Sequence, residues 1–238
     1  MTITAGNLGF RELNTQIKST SSDILIEKCY GQRFIGSSEK GRTITINGTP
    51  GNALGAYLDG AVIEVNGNAQ DAVGDTMNDG KIIVHGNAGD ALGYAMRGGC
   101  ILVKGNSGYR TGIHMKEYKD KRPVIVIGGK VGSFLGEYLA GGLIIVLGIG
   151  IDDAPVGNFT GTGMHGGRIY IRSKKELDDL PEQVTNEVAT KQDMNEIAPY
   201  ISEFSKHFGM DMEEIMDDTF YILRPNAKNP YKQLYTEN

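Results

Sequence analysis

The 238 residues carry 24 Lys and Arg against 29 Asp and Glu, a formal net charge of −5, and 39% of them are hydrophobic, with no Trp. That fits one large domain or one domain with an appendage, and the acidic balance without a basic face argues against a nucleic-acid binder. Four His and two Cys, Cys29 and Cys100, with no CxxC spacing, offer little for a metal centre and suit a reducing compartment.

In chain order, the opening MTITAGNLGF lacks the basic and apolar regions of a secretory leader. The longest apolar stretch, Leu139 to Ile151, is 13 residues, short of the ~20 that a spanning helix needs. A soluble, cytoplasmic protein is expected, with residues 1–28 as a lead-in.

From Cys29 the chain repeats itself. Corner glycines fall at Gly36, Gly55, Gly74, Gly93 and Gly112, 19 residues apart, and then at Gly136 and Gly161. After each comes a pair of β-formers: Ile44/Ile46, Ile63/Val65, Ile82/Val84, Ile101/Val103, Ile125/Ile127, Ile144/Val146 and Ile169/Ile171. Between corner and pair sits Leu58, Met77, Met96, Met115, Leu139 or Met164. Two insertions, within Lys116–Arg122 and around Ile149–Pro155, stretch the later units. One strand with period-two alternation per unit, too short to bury a core alone, predicts a solenoid of stacked parallel strands. The expected fold is mainly β, a parallel β-helix of about seven coils over residues 29–173. Asn68, Asn87 and Asn106 follow corner glycines and are expected to form a ladder between coils. Asp71 and Asp90, with the matching Asn52 and Asn158, form a second row that reads as a structural ladder before it reads as an ion or sugar site.

Residues 174–238 differ. They hold 7 Lys and Arg against 14 Asp and Glu, and one of the 34 glycines, Gly209. Met194, Ile197, Ile201, Phe204 and Phe208 follow three-four spacing, predicting an amphipathic helix ended by Gly209 and limited upstream by Pro199. Asp211 and Glu214 resemble a capping box opening a second helix, and Thr219–Leu223 is a candidate strand. This acidic helical segment is expected to cap an end or side of the solenoid.

Candidate chemistry is sparse. Gly161–Gly166 spells G-x-G-x-x-G, but a β pair rather than a helix follows, so repeat corners account for it. Gly74–Lys81 is one residue too long for a phosphate loop and lacks the Ser or Thr after Lys81. His85, His114, His165 and His207 are not brought together by spacing, and no nucleophile has a plausible base. No residue is assigned a catalytic, cofactor-binding or metal-ligating role, and no cofactor is expected.

The units from Asn68 to Val84, Gly86 to Val103 and Gly161 to Ile171, the opening Gly31–Gly36, and the closing Phe220–Pro225 (F-Y-I-L-R-P) resemble the glycine-repeat (GXGXG) domain at the C-terminal end of the glutamate synthase large (alpha) subunit. The similarity runs over about residues 25–225. One of the subunits of formylmethanofuran dehydrogenase carries a similar repeat. The resemblance implies a right-handed parallel β-helix serving as a non-catalytic scaffold of a split glutamate synthase-type oxidoreductase, in glutamate biosynthesis and nitrogen metabolism. The implied partners are glutamine amidotransferase and FMN-binding synthase polypeptides, with a homo-oligomer as a further option. The alternatives are a subunit of a formylmethanofuran dehydrogenase or N-methylglutamate synthase-like complex and, from a different class, a carbohydrate-active β-helix enzyme. Neither nucleic acid nor membrane is expected as a partner. The insertion at Lys116–Arg122 is expected to project and offer Lys119, Lys121 and Arg122 to a partner.

Overall fold

The computed structural model describes residues 1–226. In chain order the elements are β1 (Thr2–Thr4), α1 (Phe10–Lys18), β2 (Ile24–Tyr30), β3 (Thr43–Thr49), β4 (Asp59–Asn66), β5 (Asp79–Val84), β6 (Cys100–Val103), β7 (Val124–Ile127), β8 (Ala140–Val146), β9 (Gly166–Arg172), β10 (Val184–Val188), α2 (Lys191–Phe208), α3 (Met212–Met216) and β11 (Phe220–Pro225). The strands form one sheet in the order β1 to β9, then β11 and β10. All neighbours from β1 to β9 are parallel, and β11 runs antiparallel to both β9 and β10.

The repeat read from the sequence is the hydrogen-bond register. Ile44 pairs with Ile63, Ile63 with Ile82, Ile82 with Ile101, and so on through Ile125, Ile144 and Ile169. These residues and the Leu and Met column (Leu58, Met77, Met96, Met115, Leu139, Met164) are buried in the interior of the coil stack. Away from the sheet, bridges between Ala69 and Ala88 and between Ser107, Val131 and Val156 mark a second parallel face.

Eight parallel strands, β2 to β9, line the stack, so it has about eight turns rather than the seven expected. The additional strand is β2. Its inward pair Ile24/Ile26 lies opposite Ile44/Ile46, 20 residues away, and the register shifts before Cys29 meets Gly48 at 19. That one-residue slip hides the unit from a 19-residue rule.

Both ends of the interior are closed. Leu13 and Ile17 of α1 cover the first coil, and Leu177, Leu180 and Val184 cover the last. The C-terminal segment also covers a side. Cys100, Leu102, Val124, Val126, Leu143, Ile145 and Tyr170 point away from the interior and are buried by Ile197, Ile201, Phe204 and Phe208 of α2 together with Ile215, Phe220 and Ile222. On β3 and β4 the same outward positions are Thr43, Thr45, Val62 and Glu64, of which only Val62 is apolar, and none is fully buried. The sequence switches from one-sided to two-sided burial where α2 arrives.

Helix α2 departs from expectation at its start. It begins at Lys191, eight residues before Pro199, because Thr190 and Asp193 form a reciprocal capping box that fixes the first turn. Pro199 lies within the helix and is tolerated there between the buried Ile197 and Ile201. The helix ends at Gly209 as expected, at φ +65°. Asp211 caps α3 by accepting from the Glu213 and Glu214 N–H groups. The Thr219–Leu223 prediction is met by β11. Strand β10 is an addition to the expected elements: its VTNEV has apolar residues only at its two ends, too few to mark a strand.

Candidate functional site

The corner of each coil is a run of tight turns. The corner glycines from Gly36 to Gly161 have φ between +63° and +75°. The residues two before and two after them are also left-handed: Phe34, Ala53, Ala72, Ala91, Arg110, Phe134 and Phe159 on one side, and Ser38, Tyr57, Thr76, Ala95, His114 and Tyr138 on the other. Such geometry costs a side chain of order 1–3 kcal/mol. Here it is held by a ladder in which each flanking N–H donates to the next coil, as in Arg110 N–H to Ser133 O at 3.0 Å, His114 N–H to Glu137 O at 2.9 Å and Tyr138 N–H to Thr162 O at 2.8 Å.

Because the ladder locks successive corners in register, equivalent side chains stand above one another at the ~4.8 Å spacing of stacked strands. Over the later coils they are aromatic. The His114 and Tyr138 rings stack at 5.1 Å and 8°, and Tyr94 meets His114 edge-on at 5.9 Å. Phe134 and Phe159 stack at 4.9 Å, with the Arg110 guanidinium 5.0 Å from the Phe134 centroid. Arg110 Nε also donates to Glu137 at 3.1 Å. The ladder ends over Gly163, where a Cβ would collide with the Tyr138 ring. Tyr94, Tyr138 and Phe159 are 41%, 37% and 52% exposed, so this ridge lies on the surface. It is the candidate site, a surface separate from the sheet face that α2 covers.

Sequence reasoning missed this face because it tracked the glycines and the inward residues. The signal was present as Phe34, Tyr57, His114, Phe134, Tyr138 and Phe159, all two residues from a corner glycine.

The residues singled out from sequence fall into place elsewhere. Asn87 N–H donates to Asn68 Oδ1 at 2.8 Å, Asn106 N–H to Asn87 Oδ1 at 2.8 Å, and Lys130 N–H to Asn106 Oδ1 at 2.9 Å. A Cβ at Gly86, Gly105 or Gly129 would strike these same oxygens, which explains the recurrent glycines beside the ladder. In the second row, Asp71 Oδ1 accepts from Asp90 N–H at 2.9 Å and Asp90 Oδ1 from Tyr109 N–H at 2.8 Å. Asn158 N–H donates to Ser133 Oγ at 3.1 Å, and Asn52 contributes its backbone carbonyl to Phe34 N–H at 3.0 Å. Both rows stitch the backbone.

The insertion does not project freely. Lys121 reaches Asp79 at 2.9 Å and Asp59 at 3.7 Å, and Arg122 reaches Glu117 at 3.2 Å and Glu196 of α2 at 2.8 Å. Of the three cations expected to meet a partner, only Lys119, over the Tyr118 ring at 5.3 Å, lacks a carboxylate among the described residues. Folding also brings two histidines together that spacing did not. His85 bonds Glu64 at 2.9 Å and packs edge-on against Phe208 at 5.2 Å. The adjacent His207 lies 3.9 Å from Glu203, itself paired with Lys81. Burial, with help from the Lys81 and His85 charges, holds the His207 pKa below the usual range.

Glu196 is the centre of the contact between α2 and the sheet. It accepts from Arg122 at 2.8 Å, Arg168 at 2.7 Å and the Tyr170 hydroxyl at 2.5 Å. Burial works against its charge, but the Tyr170, Arg122 and Arg168 contacts outweigh it and leave the pKa below the ordinary value. Burial raises the Cys29 thiol to about 11 and the Cys100 thiol to about 12, so neither is a thiolate at neutral pH. Among the described residues no three His, Cys, Asp or Glu side chains converge as metal ligands, and no helix is long and apolar enough to cross a membrane. Gly161 to Gly166 is the last corner, leading into β9. A cavity of about 390 Å³ opens at the end of the stack, between the Asp153–Lys175 ion pair, Thr160 and Leu177.

One chain of the formyltransferase/hydrolase complex from Methylorubrum extorquens, solved with methylofuran, shares this fold. Its TM-score is 0.65 at 21% identity, over 84% of this chain and 71% of that one. An uncharacterised protein of Methanocaldococcus jannaschii is 45% identical over 249 residues, covering 98% of this chain and 95% of that one. The GXGXG motif family model matches residues 10–226. The chain belongs to the GXGXG motif family.

Proposed function

We propose that this protein is a non-catalytic scaffold subunit of a multi-subunit oxidoreductase, and specifically of a split glutamate synthase-type complex. In that complex residues 29–173 would form the repeat body and 174–238 the acidic segment, whose described part lies over the side of the coils. The observation that carries the scaffold reading is the exposed aromatic ridge on an otherwise closed solenoid. Both ends of the interior are capped, one outer face is sealed by α2, and the corner face presents rings of the kind that dominate protein interfaces.

Two features favour the glutamate synthase branch: the acidic segment and the closing Phe220–Pro225 strand. The formylmethanofuran branch is the second reading, favoured by the fold shared with a chain of the Methylorubrum complex. The carbohydrate-active reading is the weakest, since the repeats offer mainly Gly, Asn and apolar residues rather than a cluster of acids or bases on one coil face.

The branches separate on what co-purifies. Tagged at its N-terminus in its native cells, the chain is expected to bring down an FMN-binding synthase polypeptide and a glutamine amidotransferase. Recovery of formyltransferase and hydrolase chains instead would move the assignment to the second branch, and recovery of the chain alone would reject the scaffold role.

A further inference from the structure

The sheet is open at its last strand, β10. Ala189 N–H donates to Phe220 O and Asn226 N–H to Gln183 O, both at 2.8 Å. With the register running from Val184 opposite Pro225 to Val188 opposite Tyr221, this turns the odd-numbered residues of β10 toward β11. Val184, Asn186 and Val188 therefore turn their backbone groups outward. Pro181 O takes the Val184 N–H at 2.9 Å. The Asn186 and Val188 N–H groups and all three carbonyls have no hydrogen-bond partner among the described residues. Such an edge is usually blunted by a lysine, a proline or a bulge. Strand β10 has none of these: it reads V-T-N-E-V, pairs without a register shift, and its one charge, Glu187, is held by Arg224 at 3.0 Å. Val188 is 61% exposed. The opposite edge, β1, is only three residues long.

We infer that β10 is a homodimer seam, pairing antiparallel with β10 of a second copy about a two-fold axis through Asn186. The inference is independent of the scaffold reading. A two-fold axis presents the same patch from both chains, so the residue on the axis must carry outward backbone groups, as Asn186 does. That register sets Val184 opposite Val188 on both sides of the axis, Asn186 opposite itself and Thr185 opposite Glu187. The strand thus meets its own copy with apolar on apolar and polar on polar, and no like charges stand directly opposite. The Asn186 and Val188 N–H groups of each copy donate to the Asn186 and Val184 carbonyls of the other. A strand of unrelated sequence could make the same backbone bonds but lacks this side-chain matching. A five-residue seam is short for an interface, so the dimer is reversible and concentration-dependent.

The test is sedimentation of the purified full-length chain over a concentration series, with a monomer–dimer equilibrium expected. Val188→Pro removes an outward N–H and no bond to β11, so the strand itself should persist. The dimer then loses one hydrogen bond in each half and is expected to weaken about tenfold or more, with an unchanged melting temperature. A second variant maps the axis. Asn186→Cys places two thiols across a hydrogen-bonded pair, with Cα atoms about 5.5 Å apart and within disulfide reach, so mild oxidation should link two copies. Val188→Cys sets its two thiols four residues out of register, about 13 Å apart, and should stay unlinked. The native Cys29 and Cys100 are buried and do not compete. A chain that is monomeric at every concentration, a dimer that Val188→Pro leaves as tight as wild type, or equal linking of the two cysteine variants would each overturn the inference. So would a partner polypeptide's strand seated on this edge of a chain that is monomeric alone.

Discussion

At each corner glycine two constraints coincide. The backbone is left-handed, and from Gly36 to Gly136 the space a side chain would need is filled by the isoleucine of a neighbouring coil: a Cβ on Gly36 would lie 2.5 Å from Ile63 Cδ1 and one on Gly55 2.6 Å from Ile82 Cδ1. Gly55→Ala is therefore expected to cost more than either effect alone, about 2–4 kcal/mol when left-handed strain and overpacking combine. The two parts separate in a double variant. Ile82→Val removes the clashing methyl, so Gly55→Ala measured in that background by chemical denaturation should cost about 1 kcal/mol less than in wild type; equal costs would refute the steric part. The cysteines give a second test at this scale. With thiols raised to about 11 and 12, Cys29 and Cys100 are expected to resist a thiol reagent at about pH 8 in the native protein and to react at once in denaturant. Rapid native labelling of either would contradict their burial.

Among the elements, α2 is the one whose docking is electrostatic as well as apolar, and acid should loosen it. Glu196 has a lowered folded pKa, so its contribution is present above the ordinary carboxylate value of ~4.3 and lost as pH falls through the folded value. His207 is also lowered, so the folded state resists its protonation and stability falls as pH drops below ~6.5. Both act in the same direction. Protection factors across Lys191–Phe208, taken relative to the intrinsic exchange rate at each pH, should fall between about pH 7 and pH 5.5, and His207→Gln should abolish that limb. Glu196→Ala should destabilise by about 1.5–3 kcal/mol, because three donors lose a charged acceptor. A truncation after Ser173 would expose Leu102, Val126 and Ile145 together, and it is expected to aggregate rather than leave a shortened soluble solenoid. The helix, its stop at Gly209 and strand β11 were legible because spacing and glycine carry them. The face it covers was legible too, in the loss of alternation at Cys100–Val103 and Val124–Ile127, where outward positions turn apolar. Its start was not, since Pro199 suggested a limit that the capping box at Thr190 and Asp193 overrides. Nor was β2, whose 20-residue offset and one-residue slip before Cys29 broke the period.

For the whole molecule, the solenoid was readable because a repeat multiplies one weak signal by every coil. The docking face was harder to read, since it depends on which way a residue faces after the corner, and that follows from left-handed turns no period reveals. Those turns stack His114 on Tyr138, with Tyr94 edge-on to His114, apart from the face that α2 seals. The account rests on that ladder being an interface and not a bare surface. Hydrogen exchange on the native complex, compared with the isolated chain, tests it most directly. The account predicts strong protection of the corner segments 91–97, 112–116 and 136–140 in the complex, with α2 and its sheet face unchanged. Protection confined to the α2 side, with those corners exchanging as they do in the free chain, would contradict it.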